Sequence, residues 1–482
     1  MAGSGEYEVH GFVCSAGAAV TARTAVGVGV ALVTALIAGC GSSGGESSEP
    51  QAARFEYPAA PSAPTGPLDA EVVDAAEELV AGATDTGLDR DALAVVVGSG
   101  DARLAWVLQD LLRFIQSGSD ADALVDAFES LTGVDPARDP EFDQSAWLSV
   151  TNHLIAWDLP APPRYRETKA VLFLAVEPGW EPFFADADAT IDWRLLSWGG
   201  VLIDDRRLGD PRPCSDGCIP ALDDPDLTSA EQGGWYPDDA IVFGITQGAE
   251  SVALPKNIMQ VHEMVNITLG GRRLGVPYCT LCGSAQAYYT DRGPGAADDL
   301  VLRTSGLLSR SNKVMYDLTT QSVFDTFTGA AVSGPLQDDG FTLDQATVVV
   351  STWAEWRAAH PETRIVAEDG GLGRTYPADP LGGRDDNGPI FPIGRADPRL
   401  PVQAEIVGVI APDGTPIAFD ATQAASALNR GDPVEAQGVE LFADGGGLRA
   451  RTTEGDELAA HQAFWFAWSQ FHPDTIVWTP IG

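Results

Sequence analysis

Basic residues are scarce in this chain. Its 482 residues include 29 Lys and Arg against 69 Asp and Glu, which gives a formal net charge of −40. Nucleic acid and anionic membrane surfaces repel so acidic a chain, so we expect no nucleic-acid partner. The sequence also lacks a P-loop and a dinucleotide-binding fingerprint, which argues against nucleotide-dependent enzymes of those two types.

Cysteine is the second scarce residue type. The six cysteines lie at positions 14, 40, 214, 218, 279 and 282, too few for a miniprotein held together by disulfides. Apolar residues make up 44% of the chain and charged residues 20%, so a packed core is expected and global disorder is excluded. The length suggests about three domains.

Long apolar runs are absent except near the N-terminus. Residues 25–39 carry no charge, and they follow Arg23 and precede Cys40. A spanning helix needs about 20 apolar residues, so this shorter run predicts a secretory signal peptide. Residues 36–40 resemble a bacterial lipobox, which implies cleavage before Cys40 and a lipid on its sulfur that anchors the protein to the extracytoplasmic face of the cell membrane. A short transmembrane anchor is the alternative, and it also places the body outside the cytoplasm.

The compartment changes how the cysteines are interpreted. Cys14 is lost with the leader, or is never translated if the true start lies further in, and Cys40 carries the lipid. The mature body then keeps Cys214, Cys218, Cys279 and Cys282. Outside the cytoplasm, thiols oxidise unless they hold a metal or cycle with a reductant.

The fold prediction is an α+β protein with a duplicated, β-rich body after a small all-helical module. Apolar residues recur with helical spacing between 68 and about 160, residues 161–235 read as irregular, and short strands follow, with further strands expected near 300–304, 313–317 and 322–328. The predicted domains are a signal peptide at 1–39, Cys40 with a flexible linker at 40–67, a helical module at 68–165, a first unit at 166–370 and a shortened second copy at 371–482.

An internal repeat supports the duplication. The pattern Trp-x-x-Trp followed by His-Pro begins at Trp353 and returns at Trp465, while the strand around Gly244 is echoed around Gly408. The two offsets, about 112 and about 164 residues, make the second copy about fifty residues shorter. We expect it to lack the stretch with Cys279 and Cys282 and the segment after it, which would locate function in the first copy. The tryptophans themselves indicate core packing.

Two motifs carry candidate chemistry. His262 and Glu263 begin a pattern that differs from a helical zinc-protease motif, because Asn266 replaces the second histidine. On a helix continuing through Asn266, His262 and Asn266 would share a face and could orient a ligand, with His262 as a base or metal ligand. A buried histidine held by a backbone carbonyl is the structural alternative.

Cys279-x-x-Cys282 leaves three interpretations open. The pair could be a redox-active dithiol. It could bind zinc with Cys214 and Cys218, or copper with His262. It could also form a structural disulfide. Ser305 begins a polar, basic island that runs to Lys313 and could hold an anion or neutralise nearby acid.

Several ordered segments resemble the domain of unknown function family 3179. They are IPALDDP at 219–225, SVALPKNIMQVHEMVN at 251–266, GVPYCTLCGSA at 275–285, SGLLSRSNKVMYD at 305–317, TGAAVSGP at 328–335 and TWAEWRAAHP at 352–361. The resemblance spans about 210–370, with 464–475 also expected to belong. It implies no established activity, but some members of the family carry selenocysteine near this motif, which favours redox chemistry. Cys218 departs from the aspartate usual in the family.

The resulting functional hypothesis has three forms. The first is an extracytoplasmic lipoprotein with a thiol redox pair, Cys279 and Cys282, assisted by His262 and Glu263 and supported by Asn266 and Ser305, with an unidentified redox partner. The second is a zinc or copper protein that uses the same sulfurs together with Cys214, Cys218 or His262. The third is a cell-surface protein whose cysteines only form structural disulfides.

Overall fold

The computed structural model describes residues 55–480, apart from 211, 213, 215, 216, 292, 294–298 and 387. The predicted signal peptide, Cys40 and most of the linker therefore lie outside the described residues. Among the helices that are described, none is both long and apolar enough to cross a membrane. Residues from Phe55 onward form one compact unit, so the domain boundaries inferred from sequence stay predictions.

Seven helices form the N-terminal module: α1 (Ala70–Asp85), α2 (Arg90–Gly98), α3 (Ala105–Phe114), α4 (Ser119–Thr132), α5 (Ala146–Trp157), α6 (Tyr165–Val176) and α7 (Glu181–Ala185). The first helices confirm the helical periodicity of the sequence. Helices α6 and α7 correct the expectation of irregular chain after 161. Tyr165, Leu172 and Phe173 are buried on one face of α6, and the surrounding Pro and Trp residues obscured that spacing.

The remaining helices and strands form the body. The helices are α8 (Lys256–His262), α9 (Pro335–Asp338), α10 (Trp353–Ala359), α11 (Ala421–Arg430) and α12 (Trp465–Phe471). The strands are β1 (Leu196–Trp198), β2 (Leu222–Asp223), β3 (Leu227–Ser229), β4 (Ile241–Gln247), β5 (Glu250–Pro255), β6 (Met264–Leu269), β7 (Arg272–Cys279), β8 (Ser284–Ala285), β9 (Ala287–Tyr289), β10 (Leu302–Ser309), β11 (Asn312–Asp317), β12 (Val323–Asp325), β13 (Ala331–Ser333), β14 (Gln345–Ala346), β15 (Val349–Thr352), β16 (Arg364–Val366), β17 (Glu405–Ile410), β18 (Pro416–Asp420), β19 (Glu435–Ala436), β20 (Val439–Asp444), β21 (Gly447–Thr452), β22 (Glu457–Leu458), β23 (Ala460–Phe464) and β24 (Ile476–Val477). The mixed α+β fold class, with helices first, is confirmed.

The strands form five sheets. Sheet A has the order β1-β10-β11-β12-β13, and sheet B the order β14-β9-β7-β6-β2, with β8 paired to β7. Sheet C has the order β15-β4-β5-β16-β3. Sheet D has the order β23-β17-β18-β24, and sheet E the order β19-β20-β21-β22.

Sheets C and D repeat one topology. In sheet C, β4 is antiparallel to β5 and to β15, and β16 runs parallel to β5. In sheet D, β17 is antiparallel to β18 and to β23, and β24 runs parallel to β18. The helix that follows β15 is α10, and the helix that follows β23 is α12. The body is therefore duplicated, as the sequence repeat predicts.

One packing detail is shared by both copies. Trp356 and Trp468 are buried, and each indole nitrogen donates a 3.0 Å hydrogen bond to a threonine seven residues later. Each ring lies against a glycine of the central strand, Gly244 or Gly408, where a Cβ would overlap the indole. The tryptophan repeat is therefore a core feature.

The second copy lacks the segment after the cysteine pair, as predicted, but not the hairpin that holds the pair in the first copy. The hairpin β6–β7 of the first copy has a counterpart in β20–β21, and β22 pairs with β21 as β8 pairs with β7. The second copy therefore keeps the hairpin, with no cysteine in its turn, and what it lacks is the insertion β10–β13.

That insertion and β1 form sheet A, which packs on both faces. One face contributes Leu307, Val314 and Tyr316 to the core of the helical module. The other face contributes Met315 and Phe324 to a core shared with sheet B. Side chains of sheet B that point toward sheet A are therefore enclosed between two sheets.

Candidate functional site

The Cys279-x-x-Cys282 motif forms the turn between β7 and β8. Strand β7 ends at Cys279, a single 3-10 turn spans Thr280–Cys282, and Gly283 has a φ of +59°. Gly283 is needed for this positive φ and for its close contact with Phe464 of the second copy. Cys279 pairs with Ser284 across the hairpin, so both side chains lie on the face of sheet B that is turned toward sheet A.

Both cysteines of this turn are free thiols and both are buried. Cys279 is 4% exposed and Cys282 is fully enclosed. The Cys282 Sγ donates a 3.1 Å hydrogen bond to the Ser311 carbonyl. Burial raises the pKa of the Cys282 thiol well above its ordinary value, and its hydrogen bond with Cys279 raises it further. Cys282 is therefore held as a neutral thiol.

An ion pair lies beside the turn. The Lys313 ammonium is 3.1 Å from Glu263 Oε2 and donates a 2.6 Å hydrogen bond to the Glu263 carbonyl. Glu263 Oε1 accepts a 3.1 Å hydrogen bond from the Thr280 hydroxyl, within the cysteine turn. Lys313 acts to lower the pKa of Cys282, although burial outweighs it. The basic island thus supplies a cation to the dithiol, while Arg310 and Ser311 form the tight β10–β11 turn.

His262 and Asn266 do not share a helix face, contrary to the sequence prediction. Helix α8 ends at His262, Glu263 adopts a left-handed conformation with a φ of +52°, and Asn266 lies in β6. The reason is local: Val265 and Ile267 alternate with polar residues and are buried in a sheet, a pattern that favours a strand.

The imidazole of His262 is fully engaged. Nδ1 donates to the Pro220 carbonyl and Nε2 accepts from the Tyr376 hydroxyl, each over 2.7 Å. Burial lowers the pKa of His262 to about 4, so the ring is neutral. Neither nitrogen is free to act as a base or as a metal ligand in this structure. His262 is instead the buried histidine held by a backbone carbonyl that the sequence analysis gave as the structural alternative.

Asn266 and Ser305 make structural hydrogen bonds. The Asn266 amide donates to Asp223 and to the Leu302 carbonyl, and so ties β6 to β2 and to β10. The Ser305 hydroxyl donates to the Val314 carbonyl and accepts from the Leu307 amide, within a bulge of β10. Both residues hold the sheets around the site together.

Cys214 and Cys218 form a disulfide with each other. In the part of the chain that is described, these two residues and Asp204 are the one group of three or more potential metal ligands that lie close together. The Asp204 carboxylate is occupied by Arg206, with nitrogen–oxygen distances of 2.7 and 2.9 Å. The disulfide ties up the sulfurs of Cys214 and Cys218, and both ring nitrogens of His262 are hydrogen-bonded. In this structure, therefore, neither the second cysteine pair nor His262 completes a zinc or copper site with Cys279 and Cys282.

A long connection between the two copies, residues 367–404, covers the cysteine turn. Its short turn Arg384–Asp386 packs against Thr280–Cys282. We call residues 367–404 the linker loop. It is fastened to α8 at three points: Tyr376 binds His262, the Pro377 carbonyl accepts from Asn257, and Asp385 binds Lys256 and Gln260. Helix α8, which ends at His262, therefore holds the linker loop in place over the two cysteines.

The linker-loop attachment predicts a pH effect. The pKa of His262 is about 4 in the folded protein and about 6.5 in an exposed imidazole, so the unfolded state binds the proton first as pH falls. Stability is complete above pH 6.5 and decreases toward pH 4, with about 2 kcal/mol lost by pH 5 through this residue.

Urea unfolding of wild type and His262→Gln at pH 7 and pH 5 measures that contribution. His461 and His472, with pKa values lowered by burial to about 3 and about 4, act in the same direction, so the difference between the two proteins is the informative quantity. The variant should lose less stability between the two pH values. Equal losses in both proteins would contradict the assignment.

Sequence reasoning missed four polar residues near the dithiol. Ser284 Oγ, both amide atoms of Gln286, Thr326 Oγ1 and His461 Nε2 are buried and have no hydrogen-bond partner. Ser284 and Gln286 alternate with the buried Ala285 and Ala287, so polar residues at alternate positions of a buried segment were the available signal. His461 lies in β23 of the second copy, and no sequence pattern indicates that it approaches these residues.

Comparison with protein families matches residues 216–454 to DUF3179, described as a protein of unknown function. The match extends further into the second copy than the motifs near 210–370 indicate, and it stops before 464–475. No curated protein and no solved structure is detectably similar to the chain. The resemblance to the DUF3179 family is therefore confirmed over residues 216–454.

Proposed function

We propose that this protein is an extracytoplasmic thiol–disulfide oxidoreductase whose active pair is Cys279 and Cys282. The observation that carries the proposal is the contrast between the two cysteine pairs. Cys214 and Cys218 are joined, whereas Cys279 and Cys282 are adjacent free thiols beside the Glu263–Lys313 ion pair. Two free thiols at this spacing can close a disulfide reversibly, and the Lys313 cation favours the thiolate form that exchange requires.

The two thiols have different proposed roles. Cys279, the less enclosed one, attacks a sulfur of a substrate disulfide as a thiolate, which forms a mixed disulfide and releases one substrate thiolate. Cys282 then loses its proton to the released thiolate and attacks the Cys279 sulfur. This releases the second substrate thiolate, which takes up the proton that Cys279 lost on ionisation. The substrate disulfide is reduced by two electrons, and the protein gains a Cys279–Cys282 disulfide.

Access to the pair requires movement of the linker loop. Cys279 is nearly enclosed, and Arg384–Asp386 packs on the cysteine turn. Long connections that cover a site commonly serve as lids. The attachments of Tyr376, Pro377 and Asp385 to α8 would then set how often the dithiol is exposed.

Copper binding by the same sulfurs is the second candidate. Two buried thiols in an apolar cluster with Phe327 and Trp465 suit Cu(I), which prefers soft thiolate ligands and accepts few of them. Zinc fits less well, because structural zinc needs four donors and the other cysteine pair is oxidised. Bound copper would block the proposed exchange.

A location outside the cytoplasm, at the membrane through a lipid on Cys40, is part of the proposal. The uncharged run at 25–39 and the lipobox-like residues 36–40 support it. The Cys214–Cys218 disulfide is also typical of an oxidising compartment.

A redox titration of the full chain tests the function. The detergent-extracted protein is purified anaerobically, its metal content is measured, and its thiols are counted across a series of glutathione buffers. We expect one reversible two-electron transition that maps by peptide mass spectrometry to Cys279 and Cys282, and no stoichiometric metal. The transition should vanish in Cys279→Ser/Cys282→Ser and persist in Cys214→Ser/Cys218→Ser.

Two results would overturn the proposal. Stoichiometric copper that protects both thiols from alkylation would replace it with metal binding. A pair that neither oxidises nor exchanges after partial unfolding of the linker loop in mild urea would leave the cysteines with a structural role.

A further inference from the structure

The space next to the dithiol has the features of a small binding site. Ser284, Gln286 and Thr326 are completely buried and His461 is 4% exposed, yet the side-chain atoms named above lack partners. Buried polar groups in folded proteins are nearly always hydrogen-bonded, and each unpaired group costs free energy. Four residues with this property in one region point to a ligand or ordered water among them.

Strand pairing and ring contacts bring these residues together. Ser284 shares a face with Cys279, and Gln286 follows two positions later. Tyr288 fixes the position of Thr326, because its hydroxyl donates hydrogen bonds to the carbonyls of Thr326 and Phe327, over 2.8 and 3.3 Å. Phe327 belongs to the same apolar cluster as Cys279 and Cys282.

His461 approaches from the second copy. Its ring lies 5.2 Å from the ring of Phe327, and β23 packs against β8. The Gln345 amide nitrogen donates to His461 Nδ1 over 2.9 Å, so the proton of the neutral ring is on Nε2, the atom without a partner. Gln345 in turn pairs with Tyr288 across sheet B.

The chemistry of these groups restricts the occupant. All four residues are neutral, and together they offer hydroxyl, amide and imidazole donors beside amide and hydroxyl acceptors. Lys313, the cation beside the dithiol, is already paired with Glu263. The occupant is therefore small, uncharged, able both to donate and to accept hydrogen bonds and, beside a dithiol, able to accept two electrons.

We propose that this site, formed by Ser284, Gln286, Thr326 and His461, binds a small hydroperoxide that oxidises the Cys279–Cys282 pair; this inference rests on the function proposed above. One thiolate attacks a peroxide oxygen, an S–O bond forms, the O–O bond breaks, and the alkoxide or hydroxide takes a proton to leave as alcohol or water. The second thiol attacks the sulfenic sulfur, forms the disulfide and releases water. Two thiols and one hydroperoxide yield one disulfide, one alcohol or water, and one water.

Rapid mixing of the reduced full chain with hydrogen peroxide, and separately with hydroxyethyl disulfide, tests the inference. Thiol loss is followed by acid quench and alkylation. We expect peroxide to oxidise Cys279 and Cys282 at least about a hundredfold faster than it oxidises free cysteine, because positioned donors stabilise the departing oxygen.

Two variants and one control separate the site from general stability. Gln286→Leu removes a donor and an acceptor, and His461→Val introduces the residue that the first copy has at the matching position, Val349. Each should slow the peroxide reaction at least about tenfold and change the disulfide reaction less than about twofold. Thr290, just after β9, carries another buried hydroxyl without a partner, and Thr290→Val should change neither reaction.

The outcomes distinguish the two proposals. If wild type exchanges with the disulfide but reacts with peroxide no faster than free cysteine does, the hydroperoxide site is overturned and the oxidoreductase stands. If neither reagent oxidises the pair, both fail. If the variants slow both reactions equally, the four residues only support the fold and the inference fails. The wild-type comparison decides the matter even if a variant does not fold.

Discussion

Alanine in place of Gly408 is expected to destabilise the protein by about 3 kcal/mol or more. The added methyl group would overlap the six-membered ring of Trp468, which is buried and held by its hydrogen bond to Thr475. The indole has no space to shift, because the rings of His461 and Phe327 lie 5.7 and 5.9 Å from its own. Close-packed cores transmit such an overlap to their neighbours.

The first copy provides an independent repetition of this experiment. Gly244 lies against Trp356 in the same way, so Gly244→Ala should cost a similar amount. Gly98→Ala is the matched control: Gly98 is the last residue of α2 and has open space where the methyl would go, so no loss is expected.

A double-mutant cycle identifies the cause. Gly408→Ala combined with Trp468→Leu should destabilise less than the sum of the two single variants, because the smaller side chain removes the overlap. Unfolding free energies from urea titration give the coupling. Strict additivity, or a Gly408→Ala protein as stable as wild type, would show that the glycine and tryptophan do not depend on each other.

The second large effect is expected from Arg303→Met, at about 3 to 5 kcal/mol. Arg303 is completely buried and makes two hydrogen bonds to the Asp223 carboxylate, at 2.9 and 2.7 Å. It also donates to the Arg206 carbonyl over 3.0 Å. Its removal leaves Asp223, whose side chain is only 9% exposed, without its main counter-charge, and a largely buried unpaired charge is costly.

An exposed ion pair serves as the control for this buried one. Arg364→Met breaks the Arg364–Glu250 pair, in which both side chains are more than 40% exposed, and should cost less than about 1 kcal/mol. Arg303→Met/Asp223→Asn should recover part of the loss, since it removes both charges. If Arg303→Met costs no more than Arg364→Met, the buried network contributes little.

The site was predicted in part from the sequence. Cys279 and Cys282 were identified from their spacing, and Glu263 from its place beside His262. The predicted shared helix face of His262 and Asn266 was wrong because a helical pattern was extended past Glu263, where the backbone turns into β6. Whether His262 binds a ligand or a carbonyl depends on Pro220 and Tyr376, and neither is near it in sequence.

The sequence by itself determined the fold class, the duplication and the cysteine motif, because each depends on local periodicity or on matching residues within the chain. The oxidation state of Cys214 and Cys218, the cover formed by the linker loop, and the meeting of His461 with Ser284 and Gln286 were decided by the tertiary structure. The disulfide depends on the backbone geometry that brings two sulfurs four positions apart together. The other two features depend on contacts between residues far apart in the chain, such as His262 with Tyr376 and Gln345 with His461, and no local pattern encodes such contacts.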